Sequence, residues 1–294
     1  MAGSRGSAHC GVWGEAPIIK SGEKMAKKRL DVLLFEKGLV ESRERAKTMI
    51  MEGNVLVDEK KIDKCGAQVK EDAKIRLLKE DFPFVSRGGL KLQKGIDCFK
   101  IELKDAVAAD IGASTGGFTD CMLKSGAKKV YAVDVGYGQL AWKLRTDDRV
   151  INLERTNIRN VTEKEVPEKL DFASIDVAFI SLEKVLPTVK NLLKESGKIT
   201  ALIKPQFEAG RERVGKKGVV RDKEVHVDVI KNIVDFCEQE KLSVLDLAYS
   251  PIKGPEGNIE YLIYLAKQEN FENKITIEYI KATVETAHEK LNQN

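Results

Sequence analysis

The run Val107-Ala108-Ala109-Asp110-Ile111-Gly112-Ala113-Ser114-Thr115-Gly116-Gly117-Phe118-Thr119-Asp120 constrains this chain more than any other stretch. In it an apolar strand breaks into small residues and then opens a helix. Gly112, Gly116 and Gly117 lack a Cβ, so the run predicts sharp turns, close approach of a ligand, and unpaired N–H groups at the helix start. No Gly-Lys-Ser/Thr ending follows, which argues against a phosphate-gripping loop, and Asp110 at the strand end would repel a pyrophosphate.

An acidic residue before the glycines suits a ligand with a cationic amino-acid end and no phosphate. S-adenosylmethionine fits, held by Asp110, Gly112, Ala113, Ser114, Gly116, Gly117 and Phe118. Lys129 to Asp134 reads as the next strand and ends in a second carboxylate about 20 residues after the glycines, placed to accept both ribose hydroxyls. A nicotinamide dehydrogenase would show the same two features, and each aspartate alone is equally a plain strand-end turn residue. The strand, loop, helix and strand frame favours a cofactor cradle, with Asn157 after the third strand placed near an adenine.

With 294 residues, 42% of them hydrophobic and 33% charged, the chain has the make-up of a soluble protein of two domains. No apolar run approaches the roughly 18 residues of a membrane span. Cys10, Cys65, Cys98, Cys121 and Cys237 are odd in number and lack metal-binding spacing, so free thiols in a reducing cytoplasm, and no metal, are expected. A net charge of only +4 leaves nucleic-acid binding to be argued from where the basic residues sit. Residues 1–24 read as a disordered expression leader, ahead of the natural-looking start at Met25-Ala26-Lys27-Lys28.

Residues 25–80 form a small α+β module. Leu30, Leu33 and Leu34 make a helical stripe that stops at Gly38, and Ser42 caps a second helix burying Ala46, Met49 and Ile50 before Gly53. Val55 and Val57 begin a strand, a turn follows over Asp58 to Lys60, and Ile75 with Leu77 closes the module. Arg29-Leu30-Asp31, Gly38-Leu39, Ser42-Arg43, Ala46, Ile50, Gly53, Val55, Val57, Val69 and Asp72 resemble the S-four-like RNA-binding domain. That resemblance implies that Arg29, Arg43, Arg45 and Lys47 face RNA phosphates; charge alone reads them as a solvated helix face beside Glu41 and Glu44.

Residues 81–85 read as a linker around Pro83, and residues 86–268 as the catalytic domain. Strands are expected at 107–111, 129–134, 150–153, 172–180, 198–203, 243–249 and 258–266, with helices over 182–195 and 223–240. This alternation predicts an α/β fold, a doubly wound Rossmann-like sheet whose ligand crevice lies at the carboxyl ends of the strands. The last two strands would close it as an antiparallel pair. Residues 269–294 read as a helical tail packed through Ile277, Ile280 and Val284.

At those carboxyl ends stand Asp176, Lys204 and Glu260, with Lys91 just beyond Gly88 and Gly89 upstream. Two lysines and two carboxylates suit methyl transfer to a ribose 2′-hydroxyl, which needs an in-line approach and removal of a reluctant proton. A lysine begins at a pKa of about 10.4, which desolvation or a second cation lowers; Lys204 is the candidate base. Asp176 and Glu260 would orient the lysines, which stabilise charge developing on oxygen. Taken singly, Lys204 reads as a snorkelling strand-end lysine and Glu260 as a surface position.

Arg87-Gly88-Gly89-Leu90-Lys91-Leu92, the run from Asp110 to Asp120, Asp176-Val177-Ala178-Phe179-Ile180-Ser181 and Lys204-Pro205-Gln206-Phe207-Glu208 closely resemble the hemolysin A (TlyA) family of FtsJ-like ribosomal RNA 2′-O-methyltransferases. The likeness implies a catalytic tetrad of Lys91, Asp176, Lys204 and Glu260, and methylation of cytidine ribose in rRNA of one or both ribosomal subunits. Glu260 rests on a weaker motif than the other three. Gln206 to Arg221 carries Arg211, Arg213, Lys216, Lys217 and Arg221 with three glycines, and reads as a mobile basic loop where RNA would pass; Arg87, Arg211 and Arg213 join the expected RNA contacts. A binding-only ribosome-assembly factor leaves the tetrad unused. A membrane-lytic hemolysin finds no span, secretion signal or strongly apolar amphipathic helix here.

Overall fold

The computed structural model describes residues 27–40, 42–51, 53–78, 83–268 and 275–292, and their contacts divide them into one unit up to residue 78 and another from residue 83. The expected leader lies outside the described residues.

The smaller unit opens with β1 (Lys27–Arg29) and α1 (Leu30–Glu36). Leu30, Leu33 and Leu34 are buried, and Gly38 takes the left-handed conformation (φ 67) that lets the chain leave the helix. Ser42 Oγ accepts from Arg45 N (3.1 Å) at the start of α2 (Arg43–Met51), which buries Ala46, Met49 and Ile50. Then come β2 (Val55–Val57), β3 (Lys60–Lys61), β4 (Gln68–Lys70) and β5 (Ile75–Leu77). β3, β2 and β5 form one antiparallel sheet and β1 pairs with β4 in another. The turn lies at Asp58 and Glu59, so Lys60 already belongs to a strand.

The larger unit runs α3 (Gly88–Phe99), β6 (Val107–Ile111), α4 (Gly117–Lys124), β7 (Lys129–Val133), α5 (Trp142–Arg145), β8 (Val150–Leu153), β9 (Leu170–Ile175), α6 (Leu186–Leu192), β10 (Leu193–Ile203), α7 (Pro205–Glu208), α8 (Lys223–Gln239), β11 (Ser243–Tyr249), β12 (Tyr261–Ala266) and α9 (Ile277–Asn292). Seven strands lie in the order β11-β12-β10-β9-β6-β7-β8. β12 is antiparallel to both its neighbours, and the pairs from β10 across to β8 are parallel. The order reverses between β6 and β9, where a doubly wound sheet opens its crevice.

Alternation along each strand loads both faces. Ala109, Ile111, Tyr131 and Val133 pack on one side with α6, α8 and α9, while Ala108, Val130, Ala132 and Leu202 pack on the other with α3 and α4.

Several boundaries differ from the sequence expectation. Phe84 and Val85, read as linker, belong to the domain: Phe84 is buried against Gly89, and Val85 N donates to Asp120 Oδ2 (2.9 Å). The helix expected over 182–195 is a short turn capped by Ser181 followed by α6, because Leu193 already pairs with Leu170. β9 ends at Ile175 instead of Ile180, freeing Asp176 to Ile180 to line the crevice. The last two strands do pair antiparallel as expected, with β12 lying between β10 and β11. Ile277 is 37% exposed, so only Ile280 and Val284 of the three tail residues are buried.

Candidate active site

Two adjoining cavities open at the carboxyl ends of β6 and β9. The first, about 460 Å³, is walled by Lys91, Asp110, Ser114, Asp176, Lys204 and Gly254 among others. The second, about 520 Å³, is walled by Asp134, Thr156, Asn157 and Phe179, and shares Gly112, Ser114, Asp176 and Ala178 with the first.

Lysines and carboxylates pair crosswise here. Lys91 Nζ lies 2.5 Å from Glu260 Oε2, and Lys204 Nζ lies 2.5 Å from Asp176 Oδ1. Lys91 comes from α3, Asp176 from the end of β9, and Lys204 from the end of β10 where Pro205 starts α7. Glu260 precedes β12, whose reversed direction brings the strand's beginning, not its end, to this edge. Glu260 is fully buried, and its Oε1 finds no hydrogen-bond partner among the described residues. Gly254 passes so close that a Cβ there would strike the Glu260 carboxylate.

The next residue, Tyr261, faces the opposite side of the sheet. Burial pushes the His226 imidazole down to about 4, so it is neutral. Its Nε2 lies 3.0 Å from Val220 O, an acceptor, so that nitrogen carries the proton and Nδ1 accepts from the Tyr261 hydroxyl at 2.6 Å. Asn258 adds a second tie by accepting from Val220 N (3.0 Å). Glu260 is thus anchored from both sides.

The glycine cradle works differently from the sequence expectation. A Cβ on Gly112 (φ 89) would strike the Asp176 carbonyl, one on Gly116 (φ 92) the Leu144 and Leu140 side chains, and one on Gly117 the Ser86 hydroxyl. These glycines let the protein's own chain pack closely, and Gly116 faces core side chains. Asp110 is wholly buried and accepts from Thr119 N (2.8 Å) and Thr119 Oγ1 (2.7 Å), with Ser174 Oγ at 3.4 Å. Burial drives its carboxyl up to about 7 against the pull of those donors. Ala113 and Phe118 are buried at the same wall. Asp134 accepts from Ser114 N (2.7 Å) and Gly136 N (2.6 Å), which shapes the loop and leaves further lone pairs toward the second cavity. Asn157 spends its Oδ1 on Arg159 N (3.1 Å).

Of the expected RNA contacts, Arg87 and Arg211 are exposed, on the walls of the first cavity and of a third one described below. Arg213 is instead a structural tie, donating to Ala209 O (3.0 Å) and pairing with Asp228 (2.9 Å). The stretch expected to be a mobile loop is further pinned by buried Val219 and Val220. In the smaller unit, the Arg29 guanidinium grips fully buried Asp31 through both oxygens (2.9 and 3.0 Å) and holds its carboxyl down to about 2, with Arg43 at 3.4 Å. Lys47 lies 3.9 Å from Glu44, and Arg45 is half-buried on α2.

Sequence reasoning gave no role to Phe179, Gln206 or Phe207. Phe179 is 90% exposed at φ 63, a conformation rare for bulky side chains, and its ring centroid is 5.0 Å from that of Phe207 at 52°. Both flank the Asp176 and Lys204 motifs, so only their proximity to those residues offered a signal.

The FtsJ-like methyltransferase family matches residues 84–267 and the S4 domain residues 28–75. The protein YqxC of Bacillus subtilis is 49% identical over 91% of this chain and 96% of its own. The 16S/23S rRNA (cytidine-2′-O)-methyltransferase TlyA of Mycobacterium tuberculosis is 37% identical over 82% of this chain and 90% of its own. A solved Streptococcus thermophilus structure, named as a hemolysin, superposes with a TM-score of 0.72 at 44% identity, over 92% of this chain and 98% of that one. The chain therefore belongs to the FtsJ-like methyltransferase family, with an S4 domain preceding the methyltransferase domain.

Proposed function

We propose that this protein methylates a ribose 2′-hydroxyl of ribosomal RNA, on cytidine, using S-adenosylmethionine. The observation that carries the reading is the crossed pairing of Lys91 with Glu260 and Lys204 with Asp176 at the first cavity. Two lysines held by carboxylates suit a reaction that removes a hydroxyl proton and leaves an oxygen gaining negative charge during transfer. The S4 domain and the name of the Mycobacterium tuberculosis relative support an rRNA substrate.

The residues present fit the cofactor. Asp110 offers a carboxyl to its cationic amino-acid end, while Asp134 and Asn157 line the second cavity for its ribose and adenine, with Gly112, Ala113, Ser114 and Phe118 between them. When bound, the cofactor supplies an electrophilic methyl carbon. Lys204 takes the 2′-hydroxyl proton at Nζ while Asp176 fixes its direction. Lys91, held by Glu260, stabilises the developing alkoxide. Orientation of the hydroxyl supplies much of the remaining rate.

The test is transfer from radiolabelled S-adenosylmethionine to separated, unmodified ribosomal subunits by the wild type and by Lys204→Ala. Label is expected in RNA, in a linkage resistant to alkaline hydrolysis, from the wild type. The variant should bind RNA yet transfer about 10²- to 10⁴-fold more slowly. Label on a base, or an unimpaired variant, overturns the reading. No transfer despite cofactor and RNA binding would indicate a binding-only role.

A further inference from the structure

We propose that the third cavity, beside Lys204, receives the base of the nucleotide whose ribose is methylated, and that the Gln206 amide grips the Watson–Crick edge of that base. The substrate is then RNA in which this nucleotide is unpaired. The inference rests on the ribose-methylation reading above.

The cavity measures about 480 Å³ and is lined by Phe179, Gln206, Phe207, Gly210, Arg211 and Val214. Gln206 follows Lys204 by two residues, and its Oε1 is shut from solvent with no hydrogen-bond partner among the described residues. A buried acceptor without a donor is costly, and native structures rarely keep one without a reason. The terminal torsion of a glutamine is broad, so a small rotation turns its acceptor and its donor toward a ligand carrying a donor and an acceptor side by side. The Watson–Crick edge of a nucleobase has that pattern, and only an unpaired base has it free.

The remaining walls suit the faces of such a base. Phe179 is held at φ 63 with 90% of its surface exposed, and its ring and that of Phe207 are tilted by 52°. Exposed aromatic rings stack on unpaired bases, and backbone strain kept at a surface aromatic points to use there. Arg211 brings positive charge to the rim, and Lys204 Nζ lies 5.9 Å from the centre of the Phe207 ring, which keeps the attached ribose within reach of the amine.

The test is a chemical double-mutant cycle on an rRNA fragment spanning the mapped nucleotide. That nucleotide carries either cytosine or pyrimidin-2-one, which lacks the exocyclic amine. The wild type should lose about 10- to 100-fold in kcat/KM on the analogue, and Gln206→Leu a similar factor on cytosine RNA. The variant should lose no more than about threefold further on the analogue, since the partner of the amine is already gone. Additive losses, or wild-type turnover by Gln206→Leu, overturn the assignment. Phe179→Ala removes a side chain that is 90% exposed and guards against a folding defect: it should cut turnover at least about tenfold at saturating cofactor with the urea midpoint unchanged, and unchanged turnover refutes the cavity's role. A wild type that methylates no ribose would instead fail the underlying reading, and the assignment with it.

Discussion

Asp110 offers the sharpest check on the cradle. Its carboxyl is wholly buried, its partners Thr119 and Ser174 are neutral, and burial lifts it from 3.8 to about 7. The folded state therefore holds a proton that the unfolded chain releases near pH 4, so stability falls as pH rises and levels off above about 7. At 1.36 kcal/mol per pH unit the full cost is about 4 kcal/mol, of which about 2–3 kcal/mol accrues between pH 5 and pH 8. Asp110→Asn keeps an acceptor for Thr119 N and removes the titration. Its stability relative to the wild type, measured by urea unfolding without cofactor, should improve by about 2–3 kcal/mol from pH 5 to pH 8. Other titrating groups cancel in that difference. A difference equal at the two pH values would refute the reasoning. The proposed cofactor, with its ammonium near Asp110, should stabilise the wild type more at pH 8 than at pH 5 and lose that pH dependence in the variant.

The other predictions concern the basic and strained residues near the crevice. Phe179→Asn, which tolerates a positive φ, should leave stability unchanged or raise it by up to ~1 kcal/mol in urea unfolding, while methyl transfer falls. Arg211→Ala should weaken RNA binding and flatten its dependence on log salt by about 0.9. Arg213→Ala should leave that slope alone and cost no more than ~1 kcal/mol of stability, because Arg213 and Asp228 keep 34% and 56% of their side-chain surface exposed. Salt titration of RNA binding by both variants distinguishes the two roles.

The framework was legible wherever local pattern and burial agree. β6, β8 and β11 begin where apolar alternation places them, and α4 opens where the small residues of the run from Gly112 end. Asp176 and Lys204 stood out because strand ends converge in a doubly wound sheet, Lys91 because it follows Gly88 and Gly89, and Glu260 because it lies at the closing strand. Partners distant in sequence were not legible. Periodicity cannot tell that Leu193 pairs with Leu170, that Gly116 makes room for Leu144, or that Arg213 answers Asp228. Phe179 escaped because its exposure and positive φ follow from β9 ending at Ile175, and a run of apolar residues reads equally well as more strand.

The insertion of β12 between β10 and β11 bears on when the protein becomes competent during its synthesis. Both partners of β12 precede it in the chain, so until residues 261–266 emerge each has an unpaired edge open to wrong pairing. Over the same interval Lys91, made some 170 residues earlier, lacks its counter-ion. The nascent chain thus holds the glycine loop and the Lys204–Asp176 pair but not the Lys91–Glu260 pair. Closure of the sheet and completion of the Lys91–Glu260 pair are one event.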